Sequence, residues 1–171
     1  RLMEVDGKTY TLGVLVLANH GNLRDLTIDG QHIGPTLSDL LNVGQTEDQG
    51  SCIAIVATDL PLDARQLERV AKRVSVGLAR LGSYIGHGSG EVFVAFSTAN
   101  PYDHRVKENL RTVTAFREDS MDLPFQAAAE CAEEAVLNCL FTARTVTGFQ
   151  GKTIRALTDL WTPEAGFQKG E

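Results

Sequence analysis

Cysteine is scarce in this chain: 171 residues hold only Cys52, Cys131 and Cys139. No two of them are spaced C-x-x-C and an odd one is left over, so neither a disulfide framework nor a cysteine zinc site is implied. Basic charge is also short. Sixteen Lys and Arg face 22 Asp and Glu, and a net charge of −6 disfavours wrapping a nucleic acid backbone. Arg65, Arg69, Lys72, Arg73 and Arg80 do cluster, but acids intersperse them and they fit the wet face of a helix. No apolar run approaches the roughly 20 residues needed to span a bilayer, which excludes a membrane partner of that kind. The four histidines, His20, His32, His87 and His104, lack H-E-x-x-H spacing and read as surface or loop residues, so no metal is expected. The chain opens on Arg1 without a leader-like segment, so any targeting sequence was removed or never present; the cytoplasm is favoured.

What is present is enough for one core. The chain is 43% hydrophobic and 22% charged, and its length suits one domain over 1–171. Thr9 to Leu17 reads as a strand, and Asp29-Gly30 as a hairpin turn. Pro35 to Gly50 is polar and Gly-bearing and reads as a mobile linker or loop. Ser51 to Thr58 reads as a strand whose continuous Ile53-Ala54-Ile55-Val56-Ala57 run implies cover on both faces. Asp63, with Gln66 three residues later, reads as a capping box. From it Leu67, Val70, Ala71, Val74, Leu78 and Leu81 predict one helix ending near Gly82. "EVFVAFSTA" is a further strand. Pro124 to Ala143 is a long helix with Phe125, Ala128, Ala132, Ala135, Val136, Cys139 and Leu140 inward, and its Ala stripe predicts packing on a sheet. Cys131 and Cys139 both fall in that helix interior. The fold class is mixed α/β, with helices layered on sheets.

Three stretches bear on chemistry. "GHGSG" follows a helix and opens a strand, the reverse of a phosphate loop, and no G-K-[ST] is present, so no cofactor is implied. It is not a nucleophile elbow either, since His87 and Glu91 stand where G-x-S-x-G needs glycines around Ser89. Ser89 and Glu91, however, are spaced i, i+2 and can converge on one face of a strand. In "TEDQGSCIAIVATD" two nucleophiles, Ser51 and Cys52, stand at the threshold of a strand. A serine after glycine in a strained loop can attack the preceding carbonyl and cut the chain. The freed residue then carries its own base, an α-amine of pKa about 7.7–8.0. His20 and His87 lie beside these candidates and keep a lining role open.

"GSCIAIVATDLPLDARQLERVAKRVSVGLARLGS" and "GHGSGEVFVAFSTAN" resemble the P1 peptidase family, which holds L-aminopeptidase/D-esterase enzymes and β-aminopeptidases. "LGVLVLANHG" and "AAAECAEEAVLNCLFTARTVTG" resemble the family's flanking segments, so the likeness covers most of the chain in order. The resemblance implies an αββα sandwich like that of the N-terminal nucleophile hydrolases. It also implies a precursor cut at Gly50-Ser51, with 1–50 ending one product and 51–171 forming the other. Ser51 corresponds to the nucleophile, Ser89 and Glu91 to the family's Ser and acid, and Asn19 to its oxyanion Asn. Cys52 stands where an apolar strand residue is usual. The implied partners are a small peptide or amino acid amide substrate, the N-terminal segment of the same precursor, and further copies in a homo-oligomer. The competing readings are an ornithine-acetyltransferase-like acyltransferase and an inactive scaffold.

Overall fold

Two left-handed residues start the sheet. The computed structural model describes residues 1–44 and 49–167. In it β1 (Leu2–Val5) turns at Asp6 and Gly7, whose φ angles are 49° and 75°. Two positive φ values make the tight turn that suits strand twist, and the chain returns as β2 (Lys8–Asn19). The sequence reading begins its first strand at Thr9 and misses β1. The expected Asp29-Gly30 turn is present, at φ 49° and 71°, joining β3 (Thr27–Ile28) to β4 (Gln31–His32).

The predicted loop after Pro35 is in part a helix, α1 (Gly34–Leu40). Pro35 supplies a preset φ in its first turn. Asn42, at φ 51°, ends it with amides of Asn42 and Val43 donating to Asp39 and Ser38 carbonyls. Leu37 and Ser38 are buried. Of the remaining linker, 45–48 lie outside the described residues.

β5 (Ser51–Thr58) runs antiparallel to β2 and parallel to β6 (Gly90–Ser97), giving the sheet order β1-β2-β5-β6. Between the parallel strands lie α2 (Ala64–Ala71) and α3 (Val74–Arg80). The capping box is made: the Gln66 amide donates to Asp63 Oδ1 at 2.8 Å, and the Asp63 amide to Gln66 Oε1 at 3.1 Å. The single helix expected from Asp63 to Gly82 is broken at Lys72 and Arg73. Ser75 Oγ donates to the Lys72 carbonyl there, which competes with the helical ladder. α4 (Asp122–Thr142) closes the layer over β2 and α3. A Cβ on Gly77 would sit 2.4 Å from the Ala129 carbonyl oxygen, so the Ala stripe packs on a helix as well as on the sheet. Cys139, expected inside, is exposed, and Cys131 is half-buried. Beyond α4 follow two short hairpins, β7 (Val146–Thr147) with β8 (Thr153–Ile154), and β9 (Trp161–Thr162) with β10 (Gly166–Phe167).

The basic cluster is a paired outer face. Arg65 and Arg69 share Glu118, Lys72 meets Glu68, Arg80 meets Glu133, and the Arg73 guanidinium lies 4.0 Å from the Phe125 ring centre. No helix among the described residues is long and apolar enough to cross a membrane.

The sheet has one covered face. Cys52, Ala54 and Val56 are fully buried under the helices, whereas Ile53 and Ile55 are exposed on the opposite side. Cover on both faces of β5 is therefore not supplied by the described residues. Leu15, Leu17, Val92, Val94 and Phe96 extend the same uncovered apolar surface across β2 and β6.

Candidate active site

Three strands deliver their ends to one rim of the sheet. Asn19, the last residue of β2, is in register with Ser51, the first of β5, and Ser51 is in register with Gly90, the first of β6. Directly opposed residues of an antiparallel pair hold their Cβ atoms about 4.5–5.5 Å apart on the same face. Asn19 and Ser51 thus stand side by side on the open face. Gly90 leaves room next to them: a Cβ there would already touch Ser51 Oγ at 3.4 Å.

The Ser51 hydroxyl is exposed and donates to the Gly50 carbonyl oxygen at 2.6 Å. That carbonyl also accepts from the Gly90 amide at 3.2 Å. Gly50 itself is pressed onto the end of β2. A Cβ would lie 2.2 Å from the Asn19 carbonyl oxygen and 2.6 Å from His20 Cα, so no other residue fits without moving backbone.

Ser89 and Glu91 do converge, with the Ser89 hydroxyl donating to Glu91 Oε1. They occupy the other side of the sheet, because Glu91 is in register with buried Cys52. Burial first, then the nearby Glu91 carboxylate and Cys139, push the Cys52 thiol above its ordinary value. Cys52 is therefore an inward, protonated neighbour. The sequence reading treats Ser51, Asn19, Ser89 and Glu91 as one cluster. The register instead divides them into two pairs on opposite faces, meeting at the backbone of Gly50, Ser51 and Gly90. The loop leading to Ser89 holds Ile85 at φ 53°, a costly setting for a β-branched residue.

One residue near the rim escapes the sequence reading. Ser83 is 5% exposed, and its hydroxyl has no hydrogen-bond partner among the described residues. No motif marks it; only its place just after helix-ending Gly82 gives a signal. No three of the described His, Cys, Asp and Glu residues gather to hold a metal ion.

The model of peptidase family S58 matches residues 1–154. The chain belongs to peptidase family S58. Among its relatives, a β-peptidyl aminopeptidase BapA of Sphingosinicella microcystinivorans is 39% identical over 92% of this chain and 43% of its own length. The L-aminopeptidase D-Ala-esterase/amidase of Ochrobactrum anthropi, described as a variant of the Ntn hydrolase fold, superimposes with a TM-score of 0.80. It is 38% identical, over 92% of this chain and 43% of that one. The PH0078 protein of Pyrococcus horikoshii OT3 gives a TM-score of 0.82 at 46% identity, over 92% of this chain and 42% of that one. The fold is thus the Ntn-type α/β sandwich that the resemblance implies. The chain spans less than half the length of these relatives.

Proposed function

We propose that the protein carrying this chain is a self-processing serine aminopeptidase or amidase, acting on N-terminal amino acid amides, esters or short peptides. The observation that supports it most is the pairing of Ser51 with Asn19, together with the hydroxyl of Ser51 stationed on the carbonyl it has to attack. Two of the relatives named above are a β-peptidyl aminopeptidase and an L-aminopeptidase D-Ala-esterase/amidase, which favours hydrolysis over acyl transfer to an amine.

In processing, Ser51 Oγ adds to the Gly50 carbonyl carbon and the Gly50–Ser51 C–N bond breaks, leaving an ester on Ser51 and a free α-amine. Water then cleaves the ester, so that 1–50 ends one product and 51–171 begins the other. In catalysis the same Oγ attacks the substrate carbonyl. The α-amine, with a pKa of about 7.7–8.0, takes the hydroxyl proton and returns it to the leaving amine. Asn19 donates a side-chain N–H to the tetrahedral oxyanion. The Ser89–Glu91 pair reaches this centre around the rim, at the Ser51 backbone, to hold that amine or the amine of the substrate. Water releases the acyl group. The partners are the substrate, the remainder of the precursor laid over the open apolar face, and further copies in a homo-oligomer.

Denaturing electrophoresis of the full-length protein should resolve two chains, the one containing residues 51–171 beginning Ser-Cys-Ile by Edman degradation. Ser51→Ala should leave one uncut chain and lower release of p-nitroaniline from amino acid anilides by on the order of 10⁴-fold or more. A cut, active Ser51→Ala protein overturns the reading, and a start at Cys52 moves the nucleophile.

A further inference from the structure

On the helix-covered side of the rim, the ends of β2 and α4 and the turn after α3 border a half-open cavity of about 440 Å³. Small-molecule sites usually occupy roughly 300–1,000 Å³. Its walls are mainly apolar, with Leu26, Leu81, Val136 and Leu140, and Asn19 forms part of the lining. Polar groups break the apolar surface: Asn19, His20 and Asn22 on the segment from β2, Ser83 on the opposite wall, and Cys139, exposed to solvent.

The Ser83 hydroxyl is the informative one. A buried hydroxyl left unpaired costs about 1–3 kcal/mol, yet the chain holds Ser83 firmly in place. Its amide donates to the Leu78 carbonyl at 3.2 Å, and Gly82 before it has φ 99°. A Cβ on Gly82 would lie 1.8 Å from the Asp25 carbonyl oxygen, so this wall is locked against the segment after β2. A rigid wall that presents an unanswered hydroxyl into a mainly apolar space fits a ligand with a polar head beside a greasy group.

We propose that the cavity is the pocket for an apolar side chain on the substrate's N-terminal residue, with the Ser83 hydroxyl accepting a hydrogen bond from that residue's amine. This rests on the hydrolase reading above. Asn19 joins the two: its side chain serves the carbonyl on the open face while its strand end borders the cavity. Glu91 lies on the cavity's side of the sheet, which suits an amine delivered there. The pocket therefore selects branched or aromatic N-terminal residues over small ones.

Two measurements on the processed full-length protein test this. Cys139→Trp fills the cavity from its exposed wall; it should lower kcat/KM for leucine p-nitroanilide at least about tenfold while alanine p-nitroanilide stays within about twofold. Ser83→Ala removes the acceptor for the amine that both substrates carry, so it should lower kcat/KM for both anilides alike, by about tenfold. Separately, L-leucinol should protect Cys139 of the unmutated protein from iodoacetamide, read by peptide mass spectrometry, whereas ethanolamine should not. The labelling needs no variant, so it stands even where Cys139→Trp fails to fold. Equal losses on both anilides in Cys139→Trp, unchanged rates in Ser83→Ala, absence of leucinol protection, or a Cys139 already unreactive without ligand overturns the pocket; the last would mean the rest of the protein fills it. Leucinol protection in a protein that hydrolyses neither anilide keeps the pocket and sinks the hydrolase reading.

Discussion

Along β5, Cys52, Ala54 and Val56 are wholly buried, while Ile53 and Ile55 between them are 45% and 38% exposed. The two faces of this strand are equally apolar in sequence. Water abandons one because α2, α3 and α4 lie on it, and remains on the other because no described segment does. A contiguous apolar sheet face open to water marks an interaction surface in a folded protein. Here it also carries the proposed nucleophile at its rim. The covered face holds the fold together, and the open face brings chemistry and assembly together.

The sharpest way to break that contrast is a charge on each face. In the full-length protein Val56→Asp buries an uncompensated carboxylate and should cost about 4 kcal/mol or more. If the rest of the precursor covers the open face, Ile55→Asp should cost about as much by urea unfolding. An Ile55→Asp protein within about 0.5 kcal/mol of the parent would show that face to stay wet.

Next in size is Asn19→Ala, which removes the donor proposed for the oxyanion. Its kcat should fall about 10²–10³-fold with the Gly50–Ser51 register intact. An unchanged kcat in stopped assays on amino acid anilides would move the oxyanion site elsewhere. Gly50→Ala follows. Its Cβ would sit 2.2 Å from the Asn19 carbonyl oxygen, so the Gly50 carbonyl must shift off the Ser51 hydroxyl. Displacement on that scale slows a positioned reaction by on the order of 10²-fold, which a time course of chain cutting on gels reads directly. Processing at the parent rate would mean that the close fit plays no part.

Much of this was legible because it depends on local pattern. The β5 and β6 strands, the Asp63 cap and the Asp29-Gly30 turn each follow from a few adjacent residues. β1 carried the same Asp-Gly signal at Asp6-Gly7 and was within reach. α1 was also signalled, by Pro35 and the Leu37, Leu40 and Leu41 spacing, but the surrounding polar and Gly residues masked it. The site was legible as a set of residues and not as an arrangement. Spacing at the entry to β6 puts Ser89 with Glu91, but only the register between strands assigns them to the Cys52 side and Asn19 to the Ser51 side. Cover on both faces of β5 failed for a related reason: an apolar run records what the whole protein buries, not which segment buries it.

The smallest effect sharpens the comparison at a single residue. Cys52 sits directly after Ser51, on the covered face, with its thiol pushed up chiefly by burial and further by Glu91 and Cys139. The folded state thus holds that proton more tightly than the unfolded chain, whose cysteine titrates near about pH 8.5. Below that pH both states keep the thiol neutral and Cys52 adds no pH dependence. Above it the unfolded chain loses the proton first, so stability should fall as pH rises, by at most about 1.4 kcal/mol per unit. Urea unfolding at pH 8 to 10 should show this slope in the parent and a shallower one in Cys52→Ala. An equal slope in both would mean that Cys52 ionises freely, and the face that buries it would then be less closed than the neighbouring Ala54 and Val56 imply.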